Sequence, residues 1–397
     1  MKITRLCCNQ VGIGVLAMLA SSFVHPLPMT AADSVQGASP RGGAVAGSAD
    51  MTKPVQVFLL LGQSNMVGLG KVTGSEISLE HVVKQGGKYR YLLDGNGEWA
   101  ERGDVRYARV MPGRGGGMQR LNNEWMTVKA CKTIGPEFGI AHLLGDAIEA
   151  PVLILKSCIG NRSLGWDLLP PGAERYEFLV KDKAGVEKRM VYAGYKDRPE
   201  SWEMDPALGL KTQPGPWLDK AGKPIDWYAG KQWDDDLAHA KVVLSELEKH
   251  YPGANKFEVA GFFFWQGEKD AGNPGHASRY EKNLVHFIER LREEFNAPRA
   301  KFVLATMGES VKGAEGPAGD VLAGQLAVDG TSGKYPPFRG NVTTVYTHPM
   351  AQGGSGNGHY GGKAEVYMDV GEAMGRAMLD LLKGPDLRVK SPTNPPK

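Results

Sequence analysis

Cysteine is scarce in this chain, and an excess of either charge is missing. Only four cysteines are present, and Cys7 and Cys8 stand ahead of the apolar segment Val11–Val24, so they leave with it if it is removed. The remaining pair, Cys131 and Cys158, excludes a disulfide-stapled scaffold; in an oxidising compartment they form one bond or stay buried and free. None of the nine histidines joins these cysteines in a metal-ligand spacing, so no metal is implied. With 47 basic against 44 acidic residues the net charge is +3, and the basic residues are dispersed rather than gathered into a stripe. That balance gives no support to a nucleic-acid partner. A membrane span needs about 20 apolar residues, and Val11–Val24 falls short of it. An internal repeat is also absent, as is a second module with its own core.

What is present begins with Lys2 and Arg5, the apolar segment, and small residues at Thr30-Ala31-Ala32. This is the order of a secretory signal peptide, so 1–32 is expected to be cleaved and the protein exported; an uncleaved anchor is the alternative. Residues 33–53, rich in Ser, Gly and Ala, read as a flexible leader, and the folded domain is expected over 54–383. The tail 384–397 has four prolines and no hydrophobic period.

Within the domain, five short apolar runs read as buried strands: Val55–Leu61 with the turn at Gly62 behind it, 151–156, 257–265, 301–306 and 341–347. Amphipathic segments separate them, at 135–144, 234–250, 278–295 and 320–328, and one more follows the last strand at 363–382. Alternation of this kind predicts a five-stranded parallel sheet in a three-layer αβα sandwich. Two stretches interrupt the pattern. The first, 71–130, carries turn signals and a glycine cluster and is expected to be an insertion rather than a core element. The second, 163–233, holds Trp166, Trp202, Trp217, Trp227 and Trp233, five of the eight tryptophans. Those rings either stack on sugars or build a small core of their own.

Polar residues gather where the strands end. Ser64 follows Gly62 at the end of the first run, Gly160-Asn161 follows the second, Gln266-Gly267-Glu268 the third, and His359 lies in a late glycine-rich turn. In a parallel sheet the carboxyl ends share one rim, so these distant segments can meet in one crevice. A hydroxyl nucleophile needs a base and amide donors for the oxyanion. Ser64 and His359 fit the first two roles, and the turn Gly160-Asn161 with the Gln266 amide fits the third. A serine after a strand is also a common helix cap, and a histidine in a glycine turn is also a common surface residue.

Gly62-Gln63-Ser64-Asn65-Met66, Trp265-Gln266-Gly267-Glu268-x-Asp270 and the late His359 together resemble the sialate O-acetylesterase and acetylxylan esterase branch of the SGNH hydrolases, grouped with carbohydrate esterase family six. The resemblance runs from about Val55 to Leu382 outside the two insertions. It implies a flavodoxin-like sandwich, no cofactor, and hydrolysis of acetyl esters on carbohydrate. By that likeness Ser64 matches the nucleophile, His359 the base, Gly160 the glycine of the second block, and Gln266 an oxyanion donor. One position departs: the family's aspartate three residues before the histidine is Gly356 here. Where nothing replaces such an acid the rate falls by about four orders of magnitude. Glu268 is the candidate substitute, its alternative being a structural carboxylate paired with Arg162. Asp270 reads as a loop holder, and Arg162 and Trp265 as contacts to substrate. His348, after the last strand, is the second choice for the base. The competing functions are a carbohydrate-binding protein that has lost turnover and a short-chain esterase for non-sugar substrates. Nothing in the sequence bears on the oligomeric state.

Overall fold

The computed structural model describes residues 49–113, 117–211, 215–218, 221–351 and 358–383. The expected signal peptide, the leader up to residue 48, the tail from 384 and Gly356 lie outside these residues. The last residues of the leader are already fastened to the domain, since the Asp50 amide donates to Glu149 O at 2.8 Å.

In chain order the elements are β1 (Val55–Gly62), α1 (Ser64–Val67), β2 (Gly70–Lys71), β3 (Glu101–Pro112), β4 (Met118–Thr127), β5 (Thr133–Ile134), α2 (Glu137–Ala147) and β6 (Val152–Ser157). There follow β7 (Tyr176–Lys181), β8 (Glu187–Tyr192), β9 (Ser201–Glu203), α3 (Lys231–Ser245), α4 (Leu247–His250) and β10 (Phe257–Trp265). The last are α5 (Glu268–Ala271), α6 (Pro274–Glu294), β11 (Lys301–Ala305), α7 (Gly316–Ala327), β12 (Val342–Val345) and α8 (Ala364–Leu382).

The main sheet runs β12-β11-β10-β1-β6-β3-β4, parallel throughout except for β4. Alternate side chains of a strand point to opposite faces, so a sheet covered on both sides needs two apolar sets. β1 supplies both. Val55, Val57, Leu59 and Leu61 join a core closed by Trp233, Leu237, Tyr280 and Phe287 of α3 and α6, and Phe58 and Leu60 join one closed by Phe138, Met374 and Met378 of α2 and α8.

The sheet has seven strands, not five, because residues 71–130 are more than an insertion: they add β3 and β4 to its edge. The reason the strand is hard to read is that its buried positions include charges. Arg102 and Asp104 are buried and paired at 2.8 Å, and Arg106 donates to His250 O at 3.0 Å. A period-2 hydrophobic search passes over such a strand.

The 163–233 stretch resolves in favour of a private core for three of its tryptophans. β7, β8 and β9 form a small antiparallel sheet, and Trp166 and Trp202 pack with Leu169, Val191 and Ala193, with Trp227 against them. Trp233 joins the main core instead. Cys131 and Cys158 are both free.

Strand order reverses beside β1, with β6 on one side and β10 on the other, and a crevice at the carboxyl ends of such strands is where open α/β sheets bind ligands. Register brings the two ends level: Gly62 pairs with Trp265, and the Gln63 amide donates to Trp265 O at 3.2 Å. Gly62 is required there. Its φ is +144°, and a methyl group on it would lie 2.3 Å from Trp265 O.

Candidate active site

Ser64 leaves β1 at the start of a single helical turn, and that turn is fixed from below. The wholly buried Lys156 ammonium donates to Val67 O, the turn's last carbonyl, and to Glu137 Oε2, both at 2.8 Å. A buried cation needs such partners, and removing either one would leave an uncompensated charge. Beside the serine lies Gly160: a methyl placed on Gly160 would stand 3.5 Å from Ser64 Cβ. Asn161 next to it takes a left-handed φ of +57°, which asparagine tolerates better than most residues.

His359 reaches the same place from an unusual turn. Four consecutive residues, His359, Tyr360, Gly361 and Gly362, have positive φ, between 47° and 79°. Left-handed backbone costs roughly 1–2 kcal/mol for a residue with a Cβ, so the two non-glycine positions must be held by packing. Tyr360 provides it, fully buried with its ring stacked on Trp265 at 5.9 Å. The His359 carbonyl accepts from Tyr367 Oη at 3.5 Å.

Ser64, His359, Gly160, Asn161 and Glu268 all line one cavity of about 800 Å³, with Gln63, Lys269, Asn273 and Glu200 around them. Glu268 lies at its inner edge, where one carboxylate oxygen accepts from Gln63 Nε2 at 2.5 Å and the other from Asn65 Nδ2 at 2.7 Å. Burial, with the Glu309 charge adding to it, pushes its pKa up to about 7, and the two amide donors oppose the shift. Asn65 is completely buried. It also touches Tyr360 Oη at 3.4 Å and accepts from Tyr367 Oη at 3.3 Å. One network of neutral amides, phenols and a carboxylate thus joins the serine turn, the end of β10 and the histidine turn.

Three expected site residues do not face the cavity. Gln266 is fully buried, and its amide nitrogen spends both hydrogens on Arg162 O (2.9 Å) and Asp270 Oδ2 (2.6 Å), so no donor is left for an oxyanion. Its function is to clamp the loop after β6, a task shared with Asp270, which accepts from the Leu164 and Gly165 amides at 2.8 Å. Burial raises the Asp270 pKa to about 7 against these bonds. Trp265 is also fully buried and donates to Thr306 O at 3.1 Å, so it packs under Tyr360 rather than touching substrate. The Arg162 guanidinium lies 4.2 Å over the Trp227 ring and 3.4 Å from Asp167. It is not part of the cavity wall, nor is it paired with Glu268. His348 is occupied elsewhere, its Nδ1 on Gly308 O at 2.8 Å.

The residues missed by sequence reading are Gln63, Asn65, Tyr360, Tyr367, Glu200, Lys269 and Asn273. A signal existed for the first three: polar residues flank the serine immediately after a fully apolar strand, and a tyrosine follows the histidine. Among the described residues no group of three or more His, Cys, Asp or Glu side chains could hold a metal ion, and no helix is long and apolar enough to cross a membrane.

A serine, a histidine and amide-bearing turns on one cavity suit a carboxylic ester hydrolase, and the sequence of the second half agrees. Residues 219–380 match the family model described as carbohydrate esterase, sialic acid-specific acetylesterase, a stretch that includes Glu268 and His359 and begins after Ser64. Over that stretch the chain is similar to this family, and the reaction class it points to is that of a carboxylic ester hydrolase. Among solved structures, a protein from Arabidopsis thaliana is similar at 15% identity over 82% of this chain and 98% of its own, with a TM-score of 0.43. A carbohydrate acetylesterase from Xanthomonas citri is similar at 14% identity over 84% of this chain and 57% of its own, TM-score 0.46. NanS is similar at 12% identity over 85% of this chain and 99% of its own, TM-score 0.40. Comparison with the curated proteins finds no match.

Proposed function

We propose that the protein is an exported serine esterase of the SGNH hydrolase fold that removes O-acetyl groups from carbohydrate, with Ser64 as nucleophile and His359 as base. The observation that carries this reading is that both side chains line the same cavity although 295 positions separate them in the chain. The Ser64 hydroxyl attacks the acetyl carbonyl while the His359 ring takes its proton. Amide N–H groups of Ser64 and the Gly160-Asn161 turn, with the Asn161 side chain, hold the oxyanion in place of the Gln266 amide. As the tetrahedral intermediate collapses, His359 returns the proton to the departing sugar oxygen. Water then repeats the cycle on the acetyl-enzyme. The chemistry calls on no cofactor.

Glu268 acts in this scheme as a positioning residue, since both its oxygens face amides of the serine turn. The test is acetate release from 4-nitrophenyl acetate and from an acetylated oligosaccharide. Ser64→Ala and His359→Ala are each expected to lower kcat by about three orders of magnitude or more, without adding when combined. Turnover of the purified protein no faster than that of Ser64→Ala would remove the esterase reading. Sugar binding without hydrolysis would then favour a lectin-like role, and equal rates on long acyl chains would favour a non-sugar substrate.

A further inference from the structure

Glu200 is the residue that the 163–233 insertion contributes to the described wall of the Ser64 cavity. It stands just before β9, its carbonyl accepting from the Ala193 amide at 3.1 Å. The carboxylate is held by what surrounds it. Asn273 Oδ1 is taken by Tyr192 Oη at 3.0 Å and by the Gly275 amide at 3.1 Å, which turns the Asn273 NH2 toward Glu200 and gives the carboxylate a donor. His276 Nε2 lies 3.5 Å from Glu200 Oε1. Burial and the Asp167 charge raise the Glu200 pKa above the usual carboxylate value, and Lys269, exposed on the same wall, and the Asn273 amide oppose that shift.

These positions bear on which sugar fits. A substrate carboxylate is best held by an arginine fork. Arg162, the arginine nearest in sequence to the oxyanion turn, is committed to Trp227 and Asp167 and lies outside the wall. A neutral sugar offers hydroxyl donors instead, and a fixed carboxylate has two oxygens to receive them.

We infer that Glu200 is a specificity-determining residue that accepts the ring hydroxyls of a neutral sugar and repels an acidic one, so the preferred substrate is an O-acetylated neutral carbohydrate. This rests on the esterase reading of Ser64. The test compares kcat/KM for acetate release from acetylated xylotriose and from the methyl glycoside of an O-acetylated sialic acid, in the wild type and in Glu200→Gln. The wild type is expected to favour the neutral substrate by about tenfold or more, the size of one charge-assisted hydrogen bond. Glu200→Gln should raise KM for xylotriose acetate more than it lowers kcat, and shift the ratio toward the sialoside by a similar factor. Should Glu200→Gln fail to fold, the wild type alone suffices. Its preference should shrink in about 1 M salt, where the Debye length falls to about 3 Å. A wild type that favours the sialoside, or a ratio that neither the substitution nor salt moves, overturns the inference while leaving the esterase standing. Acetate release from neither substrate above the Ser64→Ala level removes both.

Discussion

Replacing Glu268 by glutamine separates two accounts of the site. If Glu268 were the missing acid of the triad, its carboxylate would hold the His359 ring, and losing it would cost about four orders of magnitude. The geometry assigns it elsewhere: its oxygens accept from Gln63 and Asn65, the two neighbours of Ser64 in sequence, at 2.5 and 2.7 Å. Hydrogen bonds to a charged group are worth roughly 1.5–3 kcal/mol each. In Glu268→Gln one amide still finds an oxygen while the other meets an NH2, so one such bond is lost. Only the part felt at the Ser64 hydroxyl slows the reaction, and displacements of that kind cost up to about a hundredfold. The expected fall in kcat/KM on 4-nitrophenyl acetate is therefore about 10- to 100-fold. The pH profile sharpens the test. Two amide donors favour the carboxylate over the acid, and burial has raised that carboxyl's pKa to about 7. Activity of the wild type should rise through neutral pH partly for this reason, and Glu268→Gln should lose that component. A variant as inactive as His359→Ala, measured from pH 5 to 9, refutes the positioning account.

Three further outcomes follow from groups around the site. Asp236 is buried, accepting from Ser157 Oγ at 2.7 Å and Gln232 Nε2 at 2.6 Å, and burial pushes its pKa from 3.8 up to about 8 against these bonds and the Arg162 charge. The folded state holds this proton longer than the unfolded chain, so the stability it brings is complete below the unfolded pKa and is lost as pH rises through the folded one. Between pH 6 and 8 the loss is about 2–3 kcal/mol, or roughly 5 °C in Tm. Asp236→Asn should flatten that slope, and parallel melting curves for the two proteins would count against it. Gln266→Ala should lower stability by about 2–4 kcal/mol, because Asp270 and Arg162 O each lose a buried donor; a fall in kcat with unchanged Tm would return Gln266 to the oxyanion. Lys156→Met leaves Glu137 buried without its cation and frees the end of the serine turn, so a loss of about 3–5 kcal/mol in chemical denaturation is expected.

How much of this was legible depended on whether a residue's role is set locally. β1, β6, β10 and β11 announce themselves because strands buried on both faces are apolar at most positions, β12 is shorter and only partly buried, and the ends of β1, β6 and β10 carry polar residues that reach the cavity. β3 does not, since burying Arg102 and Asp104 against each other satisfies the fold while erasing the hydrophobic pattern. The same distinction divides the site. Proximity to the rim was readable for Trp265, Gln266 and Glu268, but successive side chains leave a strand end in different directions. Trp265 turns into the core under α8, Gln266 meets Tyr280 of α6 at 3.1 Å, and Glu268 alone of the three reaches the cavity. A partner contributed from far along the chain is invisible to spacing, which is why Asn65 and Tyr367, 302 positions apart, were passed over.

The histidine turn shows where a sharper rule was available. A residue with a Cβ does not stay at φ +47° unless its neighbours hold it there, so the question to put to His359 was what the next residue packs on. Tyr360 and Trp265 answer it, ring on ring. Their stacking ties the segment after β12 to the end of β10, the strand hydrogen-bonded to β1 and hence to the turn that bears Ser64. The aromatic pair that sequence reading assigned in part to substrate is therefore what holds His359 in the cavity that Ser64 lines. Trp265→Ala should abolish turnover through the position of His359, with no direct contact to the sugar lost, and a variant that retained wild-type kcat while KM alone rose would show that the ring meets substrate after all.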